Sequence, residues 1–339
     1  MATHKTVFVT ERPPVHQATA IEAAPETLDI TMLASPSRAE IVAALTDAEF
    51  LVSERSGRID AEMIRSAPDL KLIQRLGTRS HDIDLAAAKD AGVVVCCQPL
   101  EQSIAVAEQT MALVLALVKR LRDVTEETVS GNDWGPPVAS DANTFAINWS
   151  NRQGIGSLHD STVGIIGFGE IGTQLAVRLR AFGAEIVYNN TTRLPDHVER
   201  NEGIRYASLS ELLEQCNVVC LLVPSSPLTD SMTNDEFLSR MRPGSILVST
   251  GASTTLDEEA VANAYRSGHL AGVATDGYLH EPIRADNPLL SLAADRRANV
   301  ILTPHCALGN MQLGLSLRAA DYTNITNYLN GRPLMNRLV

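Results

Sequence analysis

The hexapeptide Gly167-Phe168-Gly169-Glu170-Ile171-Gly172 is a G-x-G-x-x-G loop, a spacing suited to cradling the pyrophosphate of a dinucleotide. It follows a short apolar run containing Val163, Ile165 and Ile166, and it opens a helical stretch through Phe182. A second apolar run, 185–188, comes next. Each glycine has its own reason. Gly167 permits the tight turn, Gly169 lets backbone approach phosphate, and Gly172 lets helix and strand pack closely. The free N–H groups and the positive dipole end of the helix then face the anion.

About 20 residues beyond such a loop, an acidic side chain usually grips the adenosine ribose and repels a 2′-phosphate. Here the second strand ends in Tyr188-Asn189-Asn190-Thr191-Thr192-Arg193, with no carboxylate. Asn190 and Thr191 can hydrogen-bond a phosphate and Arg193 can pair with it, so the expected cofactor is NADP(H) in preference to NAD(H).

Other constellations are weaker. His81, Asp82 and Asp84 read as a polar helix start rather than a metal site, and no second Cys or His pair stands at ligand spacing, so no metal is expected. Ser161 and Ser249 have no base at a fixed spacing, which leaves no hydrolase triad. The five cysteines, 96, 97, 216, 220 and 306, are odd in number and lack a disulfide framework. A reducing compartment, the cytoplasm, is the expected location.

The elements that must hold the glycine loop alternate along the chain. Short β-branched runs and helical stretches follow one another, which predicts βαβ units and parallel sheets. Runs at 6–9, 29–33, 49–53, 72–76 and 93–96 predict a first sheet of five strands. Runs at 162–166, 185–188, 218–223, 246–249, 271–274 and 300–302 predict a second sheet of six. One buried helix is expected over 104–124 and another over 311–329. Ser208-x-x-Glu211 and Thr233-x-x-Glu236 look like capping boxes. The stretch 130–158, rich in Gly, Asn, Pro and Trp, reads as a loop, an arm or a lid.

Composition narrows the function. The 339 residues suit two domains, and 45% hydrophobic residues support packed cores. Only 4% are aromatic, so those cores are aliphatic, as buried parallel sheets require. Lys+Arg 28 against Asp+Glu 40 gives a net charge of −12, a poor surface for nucleic acid. The longest apolar run, 111–118, is short of the roughly 18 residues of a membrane span, and residues 1–11 lack the pattern of a signal peptide.

Many short blocks in order resemble the D-isomer-specific 2-hydroxyacid dehydrogenase family over nearly the whole chain. They include Leu76-Gly77 with Ile83-Asp84-Leu85, Val106-Ala107-Glu108, the Gly167 loop, and Pro224 with Thr229. Met241-Arg242-Pro243-Gly244, Asp257-Glu258-Glu259-Ala260, Gly272 with Asp276, Glu281-Pro282 and Thr303-Pro304-His305 complete the set. The resemblance implies an α/β fold of two Rossmann-like or flavodoxin-like domains with parallel sheets and a cleft between them. It implies a discontinuous substrate domain, 1–105 with 306–339, and a dinucleotide domain, 106–305. It also implies a small-molecule substrate and a homodimer, for which 130–158 is the natural arm.

Site roles follow from the same resemblance. His305 exchanges a proton with the substrate hydroxyl while the nicotinamide exchanges hydride, and Glu281 hydrogen-bonds that histidine. Val106, Val223, Pro224, Thr229, Thr250, Gly251, Ala252 and Asp276 join the glycine loop around the cofactor, and Gly77, Thr78 and Arg79 hold the substrate. The chain departs from the pattern at one place. The family's carboxylate-binding arginine falls at Ala252, so a bidentate cation becomes a methyl group. Three readings are open. Arg79, or less directly Arg284, replaces the cation; the substrate is a carbonyl compound that needs no arginine; or the chain binds cofactor without turnover, as a regulatory protein.

Overall fold

The structure, a computed structural model, describes residues 3–54, 57–131, 133–309 and 315–339. It divides into two compact units, Met1–Gln102 with Asn310–Val339, and Ser103–Gly309.

The first unit holds five parallel strands, β1 (His4–Thr10), β2 (Leu28–Ala34), β3 (Phe50–Glu54), β4 (Leu72–Leu76) and β5 (Val94–Gln98), in the order β2-β1-β3-β4-β5. Parallel neighbours need crossovers, and helices such as Arg38–Leu45 supply them. Ser37 caps that helix through a closed capping box with Glu40.

The second unit holds seven strands. They are β6 (Thr162–Ile166), β7 (Glu185–Asn189), β8 (Ile204–Tyr206), β9 (Val218–Leu221), β10 (Ser245–Ser249), β11 (Leu270–Thr275) and β12 (Val300–Leu302). Their order is β12-β11-β10-β9-β6-β7-β8, all parallel. The order in which strands are added reverses at β6, which lies between β9 and β7. In open α/β sheets a switch point is where ligands bind, beyond the carboxyl ends of the strands.

Both faces of this sheet are buried. Val163, Ile165, Ile186, Val218 and Cys220 pack on one side; Ile166, Val187, Val219, Leu221 and Leu247 pack on the other. That double burial is why the strands read as aliphatic runs without polar alternation. Cys216 and Cys220 behave as small hydrophobes, with burial pushing both thiols up to about 12.

Four local expectations change. The sheet has a seventh strand, β8, whose three residues are too few to show a period; it pairs with β7 through Ile186↔Ile204. The helix expected over 104–124 is two, Glu101–Val118 and Leu121–Val129, because Arg120 between them takes a left-handed conformation (φ 53°). Asp123, almost wholly buried, draws Arg120 and Arg152 onto its carboxylate there. The second capping box does not form. Asn234 caps Asp235–Arg240 by accepting the Phe237 N–H at 3.0 Å, while Thr233 is buried and accepts the Asp257 N–H at 2.8 Å. Finally, 311–314 lie outside the described residues, and the rest of the last helix is Leu315–Ala319, a 3-10 turn at Ala320–Tyr322, and Thr323–Leu329.

Of the described helices, Glu101–Val118 is long and apolar enough to cross a membrane, yet 44% of it is buried inside the protein. Ala107, Met111, Val114 and Val118 pack in the same cluster as β6, so it is a core helix. The described residues of 130–158 form neither helix nor strand.

Gly164 gives a direct test of the packing beneath the glycine loop. A Cβ there would sit 2.5 Å from Leu212 Cδ2 and 2.9 Å from Cys216 Sγ. Overpacking of this kind costs about 1–3 kcal/mol, so Gly164→Ala should lower the urea midpoint correspondingly. An unchanged midpoint would show that the helix Leu209–Gln215 shifts freely over β6.

Candidate active site

Six strand ends of the second unit carry the predicted site residues. Gly167 follows β6, Asn190 follows β7, Val223 follows β9, Thr250 follows β10, Asp276 follows β11 and Thr303 follows β12. Strand order therefore gathers residues far apart in sequence along one edge.

The glycine loop has the geometry its spacing predicts. Gly167 has φ 91°, and a Cβ on it would lie 2.9 Å from the Leu222 carbonyl carbon and oxygen. A Cβ on Gly172 would meet the Gly167 oxygen at 3.1 Å, whereas one on Gly169 would meet nothing within 4 Å. The loop is closed toward the core and open over Gly169, the shape that admits a phosphate against backbone. Gly169 is the N-cap of the helix Glu170–Ala181. Phe168 is fully buried, 5.0 Å from Tyr188 between ring centroids, and Ile171 packs on the same core. Their side chains shape the loop, while the backbone N–H groups of the helix start are the donors for an anion. These features fit a dinucleotide.

The loops beyond β9 and β10 are stitched together. Gly251 N–H donates to Leu221 O at 3.0 Å and Ala252 N–H to Val223 O at 3.0 Å, while Thr229 Oγ1 donates to Pro224 O at 2.6 Å. A Cβ on Gly251 would come within 2.8 Å of Val223 O, so this close approach requires glycine. Thr110 Oγ1 donates to Val106 O at 2.7 Å and lies 2.6 Å from Thr250 Oγ1. With its one proton spent on Val106, Thr110 accepts from Thr250.

The two residues expected to handle the proton meet. His305 Nδ1 and Glu281 Oε2 are 2.7 Å apart. An ionised carboxylate only accepts, so Nδ1 carries the proton and Nε2 is left to face a substrate. The other Glu281 oxygen accepts the Tyr278 N–H at 2.9 Å and the Ser253 hydroxyl at 3.3 Å. Burial pushes the Glu281 carboxyl up, but the bonds from His305 and Tyr278 outweigh it and hold the group below the ordinary carboxylate range. A depressed carboxylate contributes its pairing fully above its ordinary value and loses it only as pH falls through the lowered one, so the contact persists across the neutral range.

His305 is itself held by Asp276. That carboxylate, 3% exposed, accepts the Thr303 hydroxyl at 2.5 Å, the Cys306 N–H at 3.1 Å and the Ala307 N–H at 3.0 Å. The loop wraps around it, and His305 takes a left-handed φ of 50°. Tyr278 adds a bond from its hydroxyl to Thr303 O at 2.9 Å, and Gln109 Nε2 donates to Thr303 Oγ1 at 3.2 Å. Cys306 is exposed, but partial burial and the Asp276 charge push its thiol up, away from the thiolate a nucleophile requires.

The structure places the remaining predicted residues as follows. Asn190 is half-buried and Thr191 exposed just beyond β7. Arg193 is not the unengaged cation that the sequence suggests. It is forked onto Glu199, with Nε–Oε1 and Nη2–Oε2 both 2.8 Å, and it reaches Asp196 at 3.2 Å. Arg284 is forked onto Asp286 at 2.9 and 2.8 Å. Gly77, Thr78 and Arg79 belong to the first unit; Gly77 has φ 115°, its N–H donates to Gln98 O at 2.7 Å, and Arg79 is 6% exposed, so it is no solvated loop arginine. Sequence reading misses Ser253, Tyr278, Gln109 and Thr110. Only Ser253, adjacent to the anomalous Ala252, carried any signal.

Comparison with known proteins agrees with this geometry. Residues 111–307 match the NAD binding domain of the D-isomer specific 2-hydroxyacid dehydrogenases. The chain is 33% identical over 309 residues to a glyoxylate reductase of Thermococcus onnurineus, covering 89% of this chain and 87% of that protein. The chain belongs to the D-isomer-specific 2-hydroxyacid dehydrogenase family. A Yersinia pestis glyoxylate/hydroxypyruvate reductase B is 28% identical over 300 residues, 88% of this chain and 86% of its own length. Among solved structures, PH0520 from Pyrococcus horikoshii OT3 is 27% identical with a TM-score of 0.55 over 99% of this chain and 95% of its own. The D-lactate dehydrogenase of Aquifex aeolicus, solved with NAD and lactic acid, is 27% identical with a TM-score of 0.52 over 96% of each chain. The family is one of NAD-dependent oxidoreductases acting on 2-hydroxyacids, and the two parallel sheets are its fold.

Asp276 should be the residue on which the histidine loop depends most. Asp276→Ala leaves two part-buried N–H groups and a hydroxyl without their acceptor, a loss of about 1–3 kcal/mol. Urea denaturation measures it; a cost below about 0.5 kcal/mol would show that the loop finds other partners.

Proposed function

We propose that the protein is an active NAD(P)-dependent oxidoreductase that interconverts a 2-oxo acid, or a related carbonyl compound, and its alcohol through His305 assisted by Glu281. The observation that carries this reading is the 2.7 Å contact between His305 and a Glu281 carboxylate that is itself held on its other oxygen. In alcohol oxidation the substrate hydroxyl proton passes to His305 Nε2, and the imidazolium so formed is stabilised by Glu281 through Nδ1–H. A bound nicotinamide supplies the chemistry these residues lack, accepting hydride from carbon in that direction and donating it in reduction. Reduction runs the same proton outward from Nε2. Val106, the glycine loop, Asn190, Thr191, Val223, Pro224, Thr229, Thr250, Gly251, Ala252 and Asp276 are the proposed cofactor face. The choice between NAD(H) and NADP(H) turns on Arg193.

Ala252 makes the site atypical. Arg284 is taken by Asp286, so Arg79, with Gly77 and Thr78 in the first unit, is the proposed anchor for a substrate carboxylate. Ala252 also favours a second reading, a cofactor-binding regulatory protein without turnover. Screening 2-oxo acids and plain carbonyl compounds for NADH and NADPH oxidation decides between them. We expect turnover, and His305→Ala should lower kcat by about 10²–10⁴-fold while dinucleotide binding persists. Binding without turnover of any substrate would favour the regulatory reading.

The expected assembly is a cytoplasmic homodimer with 130–158 as the arm. Phe145, Ile147 and Trp149 are exposed there, and Trp134 stacks edge-on to Trp149 at 5.1 Å. Such a cluster on the surface marks an interaction site. Light scattering should give twice the chain mass, and Phe145→Ser with Ile147→Ser should give the single chain. A monomer before substitution would overturn the arm.

A further inference from the structure

The loop beyond β7 contains a carboxylate that the sequence motif does not reveal. Glu199 lies nine residues past Asn190, on the helix Asp196–Glu202, and is 8% exposed. It receives the Arg193 fork at 2.8 Å on both oxygens, and its Oε1 also accepts the hydroxyl of fully buried Tyr188 at 2.8 Å. The same Tyr188 oxygen accepts the Leu194 N–H at 2.8 Å, which fixes the backbone just after Arg193. The guanidinium rests over the Tyr206 ring at 5.7 Å. Two of its three nitrogens and one face are therefore engaged by the protein.

Charge decides what this does to a ligand. Arg193, Asp196 and Glu199 together carry one positive and two negative charges, and Asn190, Thr191 and Thr192 add none. The bond from Arg193 holds the Glu199 carboxyl below its ordinary range, so it is ionised near neutral pH. A 2′-phosphate brings close to two further negative charges near neutral pH. It would meet a guanidinium already shared between two carboxylates, whereas a ribose 2′-OH would meet the neutral amide of Asn190 and the hydroxyl of Thr191.

We propose that Glu199 is a positioning residue for cofactor choice: by holding Arg193 it makes the loop select NAD(H) over NADP(H), and releasing Arg193 reverses the preference. The expectation of NADP(H) rests on an unengaged Arg193, and the fork removes that basis. This inference depends on the dinucleotide reading of the glycine loop.

Direct binding tests it without a substrate. Dissociation constants for NADH and NADPH are measured by titrating the full chain and following nicotinamide fluorescence. The unaltered chain should bind NADH at least about tenfold tighter than NADPH. Arg193→Ala should not move the ratio toward NADPH, because it removes a guanidinium that is already spent and leaves Glu199 unpaired. Glu199→Gln keeps the Tyr188 contact but frees the cation, and should move the ratio toward NADPH by about tenfold or more. Adding Arg193→Ala to Glu199→Gln should abolish that movement, which a general loosening of the loop would not do. Tighter binding of NADPH to the unaltered chain overturns the inference, as does a movement of the ratio toward NADPH in Arg193→Ala. So does an unmoved ratio in Glu199→Gln. If that variant does not fold, Arg193→Ala alone decides. Failure of the unaltered chain to bind either dinucleotide overturns the cofactor reading itself, and the inference with it.

Discussion

A buried carboxylate organises the chemistry of this protein. Asp276 stands at the end of β11 and gathers a hydroxyl and two N–H groups from the loop that follows β12. Backbone N–H groups directed at one buried carboxyl together dictate the path of a loop that has no regular structure of its own. The path forces His305 into a left-handed conformation and turns its Nδ1 toward Glu281. Without the register that sets β11 beside β12, none of these groups would meet. The contact between His305 and Glu281 is thus a product of strand order and one buried side chain.

The same division of labour appears elsewhere along the sheet edge. Strands supply rigid ends, and single polar groups pin the loops between them: Asn189 on Ala207 O, Thr229 on Pro224 O, Thr110 beside Thr250. The protein carries a net charge of −12, yet it belongs to a family with a domain for the anionic NAD. Backbone N–H groups at the start of the helix Glu170–Ala181 answer that anion locally, where surface charge does not. Global charge thus says little about this site.

The fold was largely legible because the double-sided burial of parallel strands imprints itself on composition. Runs such as Thr162–Ile166 and Val300–Leu302 stand out as aliphatic blocks bounded by polar residues. The glycine loop was legible for a different reason, since its spacing leaves backbone open over Gly169, and Gly167 answers a steric demand that other residues cannot meet. β8 escaped because three residues at an edge carry no period. The break at Arg120 escaped because a long side chain hides a left-handed backbone that a glycine would advertise. Within the site, the His305–Glu281 pair was legible only by resemblance, for 24 positions separate the two residues. The Arg193–Glu199 fork was missed because a carboxylate on a following helix has no fixed offset from the strand end. Ser253 and Tyr278 act through contacts that only the folded loops create.

The split of the first unit bears on how the chain is made. Its five strands lie within the first 102 residues, but Arg318 pairs with Glu54 at 2.8 Å, Tyr322 donates to Ala20 O at 2.6 Å and Asn324 donates to Gln74 at 2.9 Å. Those partners leave the ribosome only after the unit Ser103–Gly309. The interrupting unit, Ser103–Gly309, is therefore fully synthesised while the sheet that precedes it still lacks part of its core. Domains fold as they emerge, so the usual order is inverted: the interrupting unit completes first, and the unit whose strands precede it completes afterwards.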